Sequence, residues 1–122
     1  GMFLPPDPSG RWEASSGLMF QMGGIGPMLG QAGYFLNKAP KPVPAAIERY
    51  TREAKRLYEV VDRRLTEVEF LAGDYSVADI ASFPWLRVYE GVDVDISDFP
   101  TVARWLRIIG DRPAVRRGLA LP

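Results

Sequence analysis

The chain has 122 residues, enough for one domain with a hydrophobic core, and its 15 basic and 15 acidic residues balance to zero net charge. Because there is no charge excess, we expect neither a nucleic-acid nor a membrane partner. Cysteine and histidine are absent, which excludes thiol nucleophiles, disulfide bonds, Ser-His-Asp triads and Cys/His zinc sites, and we predict no metal site.

The hydrophobic stretches of the sequence are short. Glycine, proline or charged residues interrupt each of them, so we predict no transmembrane helix and no secretory signal. These absences lead us to expect a cytoplasmic protein.

The first predicted helix starts between Asp7 and Ser9 and runs past Met22. The glycines and the proline of "GGIGP" would bend or interrupt a helix, and we expect it to resume over residues 28–37. The next stretch, "KAPKPVP", is predicted to be a stiff connector.

The clearest helical periodicity lies in residues 44–68. Apolar or aromatic side chains recur there every three or four residues, which predicts one long amphipathic helix. The members of this stripe are Ile47, Tyr50, Ala54, Leu57, Val61, Leu65 and Val68. Pro44 suits the first turn of such a helix.

Asp79 lies in an unusually apolar stretch, "FLAGDYSVADIASFPW". A buried carboxylate is costly unless it is paired, and the S-x-x-D spacing of Ser76 and Asp79 offers a capping box. Tyr75 and Ile80 hold the positions of a hydrophobic staple. We therefore interpret Asp79 as a structural residue and not a catalytic one.

The helix behind this box, from Val77 to about Tyr89, is apolar on nearly every side, so we expect it to be the central helix of an all-α bundle. Asp98 and Pro100 open a further predicted helix that ends at Gly110, and Pro113 starts a last short one.

The stretch "FLAGDYSVADIASFPW" resembles the capping box and core helix of the C-terminal domain of cytosolic glutathione transferases, and "RPAVRRGL" resembles the end of that domain. The segments "QMGGIGPMLGQAGYF" and "AIERYTREAKRLYEVVDRRL" are similar to the bacterial nu-class group. Its members have disulfide-bond reductase activity and also resemble the yeast prion-forming nitrogen regulator. The resemblance implies one glutathione transferase C-terminal-like helical bundle over residues 1–122, around a buried central helix.

Members of this family also have an N-terminal thioredoxin-like domain that binds glutathione and supplies the residue at its sulfur. That domain is absent from this sequence, so we assign no catalytic residue. The resemblance implies glutathione as the co-substrate of full-length members, and we do not expect this chain alone to bind it.

The resemblance also implies a binding residue, Arg49. In the nu-class group an arginine of an "IERY" segment reaches a second glutathione, and Arg49 holds that place here. Judged by residue type alone, Arg49 is one of many exposed helix arginines that do little. A guanidinium is also the group that binds a carboxylate through two hydrogen bonds, so both interpretations stay open.

Met28, Gln31 and Tyr34 follow the glycine-rich bend at three-residue spacing. Glycines let a ligand approach closely and methionine suits varied apolar substrates, so we predict these three as substrate-binding residues. The alternative is that Met28 and Tyr34 only pack the core. A nucleotide site is disfavoured because no strand precedes the glycines and no Gly-Lys-Ser/Thr follows them.

Two functions stay open. The first is the helical half of a glutathione-dependent transferase or disulfide reductase, which supplies a pocket wall for a small apolar or disulfide substrate and the dimer contacts. The second is a non-catalytic interaction module. Stand-alone helical domains of this type resemble the domains that serve as assembly surfaces in translation factors and tRNA synthetases. We favour the first because the nu-class-like stretch covers pocket positions as well as core positions.

The first helix carries more apolar side chains than one small bundle can cover. They are Trp12, Met19, Phe20 and Met22, with Met28 beyond the bend. Exposed apolar patches mark association sites, so we expect a homodimer or a higher oligomer held through this helix.

Overall fold

Six α-helices make up the computed structural model, which describes residues 2–121. They are α1 (Pro8–Phe20), α2 (Gly26–Asn37), α3 (Pro44–Glu67), α4 (Val77–Leu86), α5 (Pro100–Gly110) and α6 (Pro113–Leu119). Between residues 2 and 121 the only β pairing is two isolated bridges in the turn at 70–74. The predicted all-α bundle is therefore confirmed, and positions 1 and 122 of the predicted domain lie outside the described residues.

The glycine-rich segment does not interrupt the first helix, although an interruption or a bend was expected. A π-helical turn, Gln21–Ile25, joins α1 directly to α2. The side chain of Gln21 is buried, and a Cβ added at Gly26 would lie 2.7 Å from its Nε2 atom. A glycine at position 26 therefore leaves room for the Gln21 amide, and α2 begins two residues earlier than predicted.

The long helix α3 has its predicted apolar face against the core. Ala54, Leu57, Val61 and Leu65 are buried there. The stripe is less complete at its ends, since Ile47 and Tyr50 are half-buried and the helix stops at Glu67, one residue before Val68. The core is completed by side chains of α2, α4 and α5, the largest being Leu29, Leu86, Trp105 and Ile109.

The predicted capping box of α4 is present. Ser76 Oγ accepts a hydrogen bond from the backbone N–H of Ala78 at 3.2 Å, and Asp79 Oδ2 accepts one from the backbone N–H of Ser76 at 3.0 Å. Asp79 also accepts hydrogen bonds from the backbone N–H of Leu71 at 3.0 Å and from the indole N–H of Trp105 at 2.8 Å. A fourth donor, the Ser76 hydroxyl, lies 3.4 Å from Asp79 Oδ2. The Asp79 carboxylate is fully buried, and these donors compensate its charge.

Helix α4 is central, but its neighbours do not enclose it completely. Its buried side is formed by Ala78, Ser82, Phe83 and Leu86. On the other side, Ile80 and Trp85 are 41% and 38% exposed. The helix ends at Leu86, three residues before the predicted end at Tyr89, because the chain continues as a 3-10 turn over Tyr89–Val92. The open side of α4 borders the clefts described below.

Helix α5 is held by a carboxylate from another helix. Asp62 of α3 accepts hydrogen bonds from the backbone N–H groups of Thr101 at 3.0 Å and Val102 at 3.1 Å. These two N–H groups lie in the first turn of α5, where no backbone acceptor exists within the helix. Asp62 thus replaces the N-cap side chain that Phe99 cannot supply.

Candidate functional site

The four residues predicted to bind substrate lie on α2 and α3 and border different clefts. Met28 and Arg49 line one cleft of about 320 Å³ between α2 and α3. Tyr34 lines a cleft of about 620 Å³ between α2 and α4, and Gln31 lines an adjoining one of about 540 Å³. The fold therefore brings Met28 and Arg49 together and places Gln31 and Tyr34 on the other side of α2.

Arg49 has no ion pair and no side-chain hydrogen bond with any residue between 2 and 121. Among the described residues that line its cleft, the one acid is Glu53, which Arg56 binds through two hydrogen bonds of 2.7 and 2.8 Å. This pairing with Arg56 is the main reason that the pKa of Glu53 lies below its ordinary value, and the positive charge of Arg49 contributes in the same direction. The Arg49 guanidinium is consequently available for an external anion.

Arg52 borders the same cleft, but its guanidinium lies 3.7 Å from the carboxylate of Glu48. Both side chains are about three-quarters exposed, at 74% and 77%. An exposed pair of this kind is weak. The cleft therefore presents two arginines to solvent. Arg52 has a weak ion pair with Glu48, whereas Arg49 has none within residues 2–121.

An aromatic row connects the two sides of α2. The Tyr34 and Phe35 rings meet edge to face with their centroids 5.1 Å apart, and Phe35 stacks on Tyr50 with the centroids 5.6 Å apart. Tyr34 is 45% exposed, whereas Met28 is half-buried against the core. The alternative that these two residues only pack the core therefore applies in part to Met28, and it does not account for the exposed ring of Tyr34.

Trp85 borders the α2–α4 clefts and was not predicted as a site residue. Its indole lies over α2 where Gly26 and Gly30 have no side chains, because Cβ atoms added there would be 3.5 and 3.6 Å from the ring. The glycine spacing at positions 26, 30 and 33 was a usable signal, since it leaves one face of α2 without side chains. Its partner could not be deduced without the packing of α4.

An apolar groove of about 430 Å³ lies on the far side of α4, next to α6. Phe3, Ile80, Pro84 and Leu119 line it, together with the Arg112 guanidinium, which stacks 3.7 Å from the centre of the Tyr75 ring. The two residues expected to form a hydrophobic staple, Tyr75 and Ile80, both line this groove. This surface was also missed by the sequence analysis.

Neither a metal centre nor a membrane span is found in the part of the chain that the structure describes. No group of three or more acidic residues is arranged to hold a metal ion there. No helix within residues 2–121 is both long and apolar enough to cross a membrane.

These clefts belong to a fold that matches known proteins. Residues 27–113 match the family model described as the glutathione S-transferase C-terminal domain. The chain belongs to this family. Residue patterns in the sequence predicted the same family, and that recognition is confirmed.

The relatives include disulfide-bond oxidoreductases. The chain is 41% identical over 120 residues to the disulfide-bond oxidoreductase YfcG of Escherichia coli, covering 98% of this chain and 56% of that protein. It is 33% identical to Protein URE2 of Candida albicans over 141 residues, covering 88% of this chain and 41% of that protein.

A solved structure is similar over the whole length of the chain. It is a glutathione transferase from Burkholderia graminis, described with two glutathione molecules bound per protein subunit. The sequence identity is 47% and the TM-score is 0.91, over 100% of this chain and 54% of that one. The chain thus spans about half the length of the proteins that it matches.

Proposed function

We propose that this chain is the helical half of a glutathione-dependent disulfide reductase or transferase, in which it forms part of the substrate pocket and the dimer contacts. The observation that carries the proposal is the unpaired Arg49 guanidinium beside Met28 in a cleft of about 320 Å³. The relatives named as disulfide-bond oxidoreductases support the reductase chemistry.

Arg49 binds a glutathione carboxylate in this proposal. Glutathione carries two carboxylates, and an arginine binds one of them with two parallel hydrogen bonds. Glu53 does not compete for Arg49, because Arg56 already holds it at 2.7 and 2.8 Å. The Burkholderia graminis relative, described with two glutathione molecules per subunit, supports a second site of this kind.

The chemistry at sulfur comes from another domain. The sequence contains no cysteine or histidine, and the buried carboxylate of Asp79 is fully occupied by structural hydrogen bonds. We therefore assign no residue of this chain to the activation of a bound thiol. We propose a thioredoxin-like domain as the partner that activates glutathione.

The apolar groove beside α6 is the proposed docking surface for that domain. Ile80 and Leu119 leave 41% and 47% of their surface exposed there. The segment before α1 crosses its edge, because the carbonyl of Phe3 accepts a hydrogen bond from the backbone N–H of Val77 at 2.9 Å. A domain that precedes this segment would meet the groove directly.

The proposal is tested on the protein that contains this half together with a thioredoxin-like domain. The coding DNA upstream of Met2 is read first, and an in-frame thioredoxin-like sequence is expected. The two-domain protein should reduce a small disulfide with glutathione. The 122-residue chain should neither do so nor conjugate glutathione to an aromatic electrophile above the uncatalysed rate.

Arg49→Ala tests the site within that protein. We expect about tenfold weaker binding of the second glutathione, the usual effect of losing a charge-assisted pair. Arg63→Ala is the matched control, since Arg63 is an exposed arginine of α3 that borders none of the described clefts. Equal effects of the two substitutions would contradict the role of Arg49.

A second candidate function is a non-catalytic interaction module. The exposed apolar side chains of α1 and the π-turn favour it, since Trp12 is 73%, Met19 60% and Met22 59% exposed. An intergenic gap upstream of Met2, with no thioredoxin-like sequence, would support this candidate over the enzyme half.

A cytoplasmic location stays a prediction under either function.

A further inference from the structure

A second arginine, Arg52, lines the same α2–α3 cleft as Arg49. The other described residues that line this cleft are Met28, Tyr50 and Glu53. Arg56 already holds both carboxylate oxygens of Glu53, at 2.7 and 2.8 Å. The described lining therefore offers a ligand two positive charges and no uncompensated negative charge.

The ion pair that Arg52 forms is weak. Its guanidinium lies 3.7 Å from the Glu48 carboxylate, and the two side chains are 74% and 77% exposed. A charge-assisted hydrogen bond of an arginine is about 2.7 to 2.9 Å long, so this pair makes none. Solvent also screens an exposed pair. A ligand carboxylate can therefore replace Glu48 at the Arg52 guanidinium.

An aromatic stack supports the cleft beside the two arginines. The Tyr50 ring lies nearly parallel to the Phe35 ring of α2, at an angle of 8° with the centroids 5.6 Å apart. The thioether of Met28 belongs to the same lining. Sulfur atoms pack favourably against aromatic rings, and methionine adapts to varied apolar groups. The cleft thus combines a surface suited to sulfur with cations suited to carboxylates.

We propose that Arg52 makes this cleft selective for small disulfides that carry carboxylates. The inference rests on the proposed function, in which Arg49 binds a glutathione carboxylate, and it adds that Arg52 leaves Glu48 to bind a carboxylate of the disulfide. Two glutathione thiols are oxidised to one glutathione disulfide in the reaction. The substrate disulfide accepts their two electrons and two protons and becomes two thiols. Arg52 selects the substrate by binding and takes no part in this exchange.

The test compares three small disulfides on the full-length two-domain protein, with glutathione as the reductant. They are similar in length and differ in charge: 3,3′-dithiodipropionate is a dianion, bis(2-hydroxyethyl) disulfide is neutral and cystamine is a dication. Each kcat/KM is divided by the uncatalysed rate constant for the same disulfide. We expect this ratio to be about fivefold higher for the dianion than for the neutral disulfide, and lowest for cystamine. Equal ratios for the dianion and the neutral disulfide would overturn the proposal.

Two substitutions with opposite expected effects assign the selectivity to Arg52. Arg52→Gln should raise the KM for the dianion about fivefold with kcat unchanged, whereas Glu48→Gln should lower this KM because Arg52 is then unpaired. Arg63→Gln and Glu59→Gln are the matched controls, since both residues are exposed on α3 and line none of the described clefts. An Arg52→Gln variant that keeps the preference, or equal effects of Glu48→Gln and Glu59→Gln, would overturn the proposal.

Binding of suberate distinguishes this inference from the proposed function. Suberate matches 3,3′-dithiodipropionate with an ethylene group in place of the disulfide, so it binds without reacting. Calorimetry on the two-domain protein should show suberate bound about fivefold more weakly by Arg52→Gln than by wild type, and unchanged by Arg63→Gln. Equal affinities of Arg52→Gln and wild type would overturn the inference even if disulfides are reduced. If no disulfide is reduced, the proposed function fails, and suberate binding still decides the role of Arg52.

Discussion

Asp79 joins three parts of the molecule through one carboxylate. Its oxygens accept hydrogen bonds from the backbone of Leu71, from the start of α4 at Ser76, and from the indole of Trp105 in α5. A capping box accounts for only one of these contacts. The burial of Asp79 in an apolar stretch is therefore explained by these hydrogen bonds, which occupy its carboxylate in a structural role.

Asp79→Ala is predicted to destabilise the fold by about 3 kcal/mol or more, because the substitution leaves several buried N–H donors without an acceptor. Urea denaturation of the mutant and wild type measures the loss. Asp74→Ala is the matched control, since Asp74 lies in the loop before α4 with an exposed side chain, and it should change stability by less than about 0.5 kcal/mol. Superimposable curves for Asp79→Ala and wild type would refute this role.

At the scale of elements, the joint between α1 and α4 depends on the absence of a side chain. A Cβ added at Gly17 would lie 2.8 Å from the Cβ of Ala78, which is itself fully buried. Two helices that approach this closely cannot accept another methyl group without moving apart. The glycines of the π-turn differ, since a Cβ at Gly23 would meet nothing within 4 Å.

The same substitution should therefore have opposite effects at two neighbouring glycines. We predict that Gly17→Ala destabilises the chain by about 1 to 3 kcal/mol through overpacking against Ala78. Gly23→Ala should be neutral or stabilising by up to about 1 kcal/mol, because alanine restricts the unfolded chain and favours helix. Melting temperatures of the two variants, measured side by side, check the signs, and a shift of the same sign in both would contradict this packing.

At the scale of the whole molecule, the apolar surface of α1 and the π-turn is not covered by the domain. Trp12, Met19 and Met22 stay largely exposed, as the sequence analysis predicted, whereas Phe20 and Met28 are half-buried against the core. Three large apolar side chains on one stretch are more than isolated surface residues usually present. This exposure supports the proposed association through α1.

We predict that the chain sediments as a homodimer or a larger species at micromolar concentration, and not as a monomer of 13.6 kDa. A stable interface should bury about 1,200 Å² or more in total. Met19→Lys should shift the equilibrium towards monomer. Val88→Lys is the control, because Val88 is also exposed, at 44%, but follows α4. If the wild-type chain sediments as a monomer, the proposed α1 interface is contradicted.

Local signals in the sequence determined most of the secondary structure. The start of α3 at Pro44, the capping box of α4 and the starts of α5 and α6 at Pro100 and Pro113 all agree with the structure. Such features depend on residues within one or two helical turns of each other, so a single stretch of sequence contains the whole cause. The family was recognisable for the same reason, since its motifs are local.

Only the tertiary structure decided how the site residues are grouped. Met28, Gln31 and Tyr34 are evenly spaced, yet Met28 faces Arg49 while Tyr34 shares a cleft with Trp85. That division depends on which helices pack on each side of α2. The bond from Trp105 to Asp79 likewise spans 26 residues. Contacts between distant residues arise from the packing of whole helices, which the periodicity of one helix does not specify.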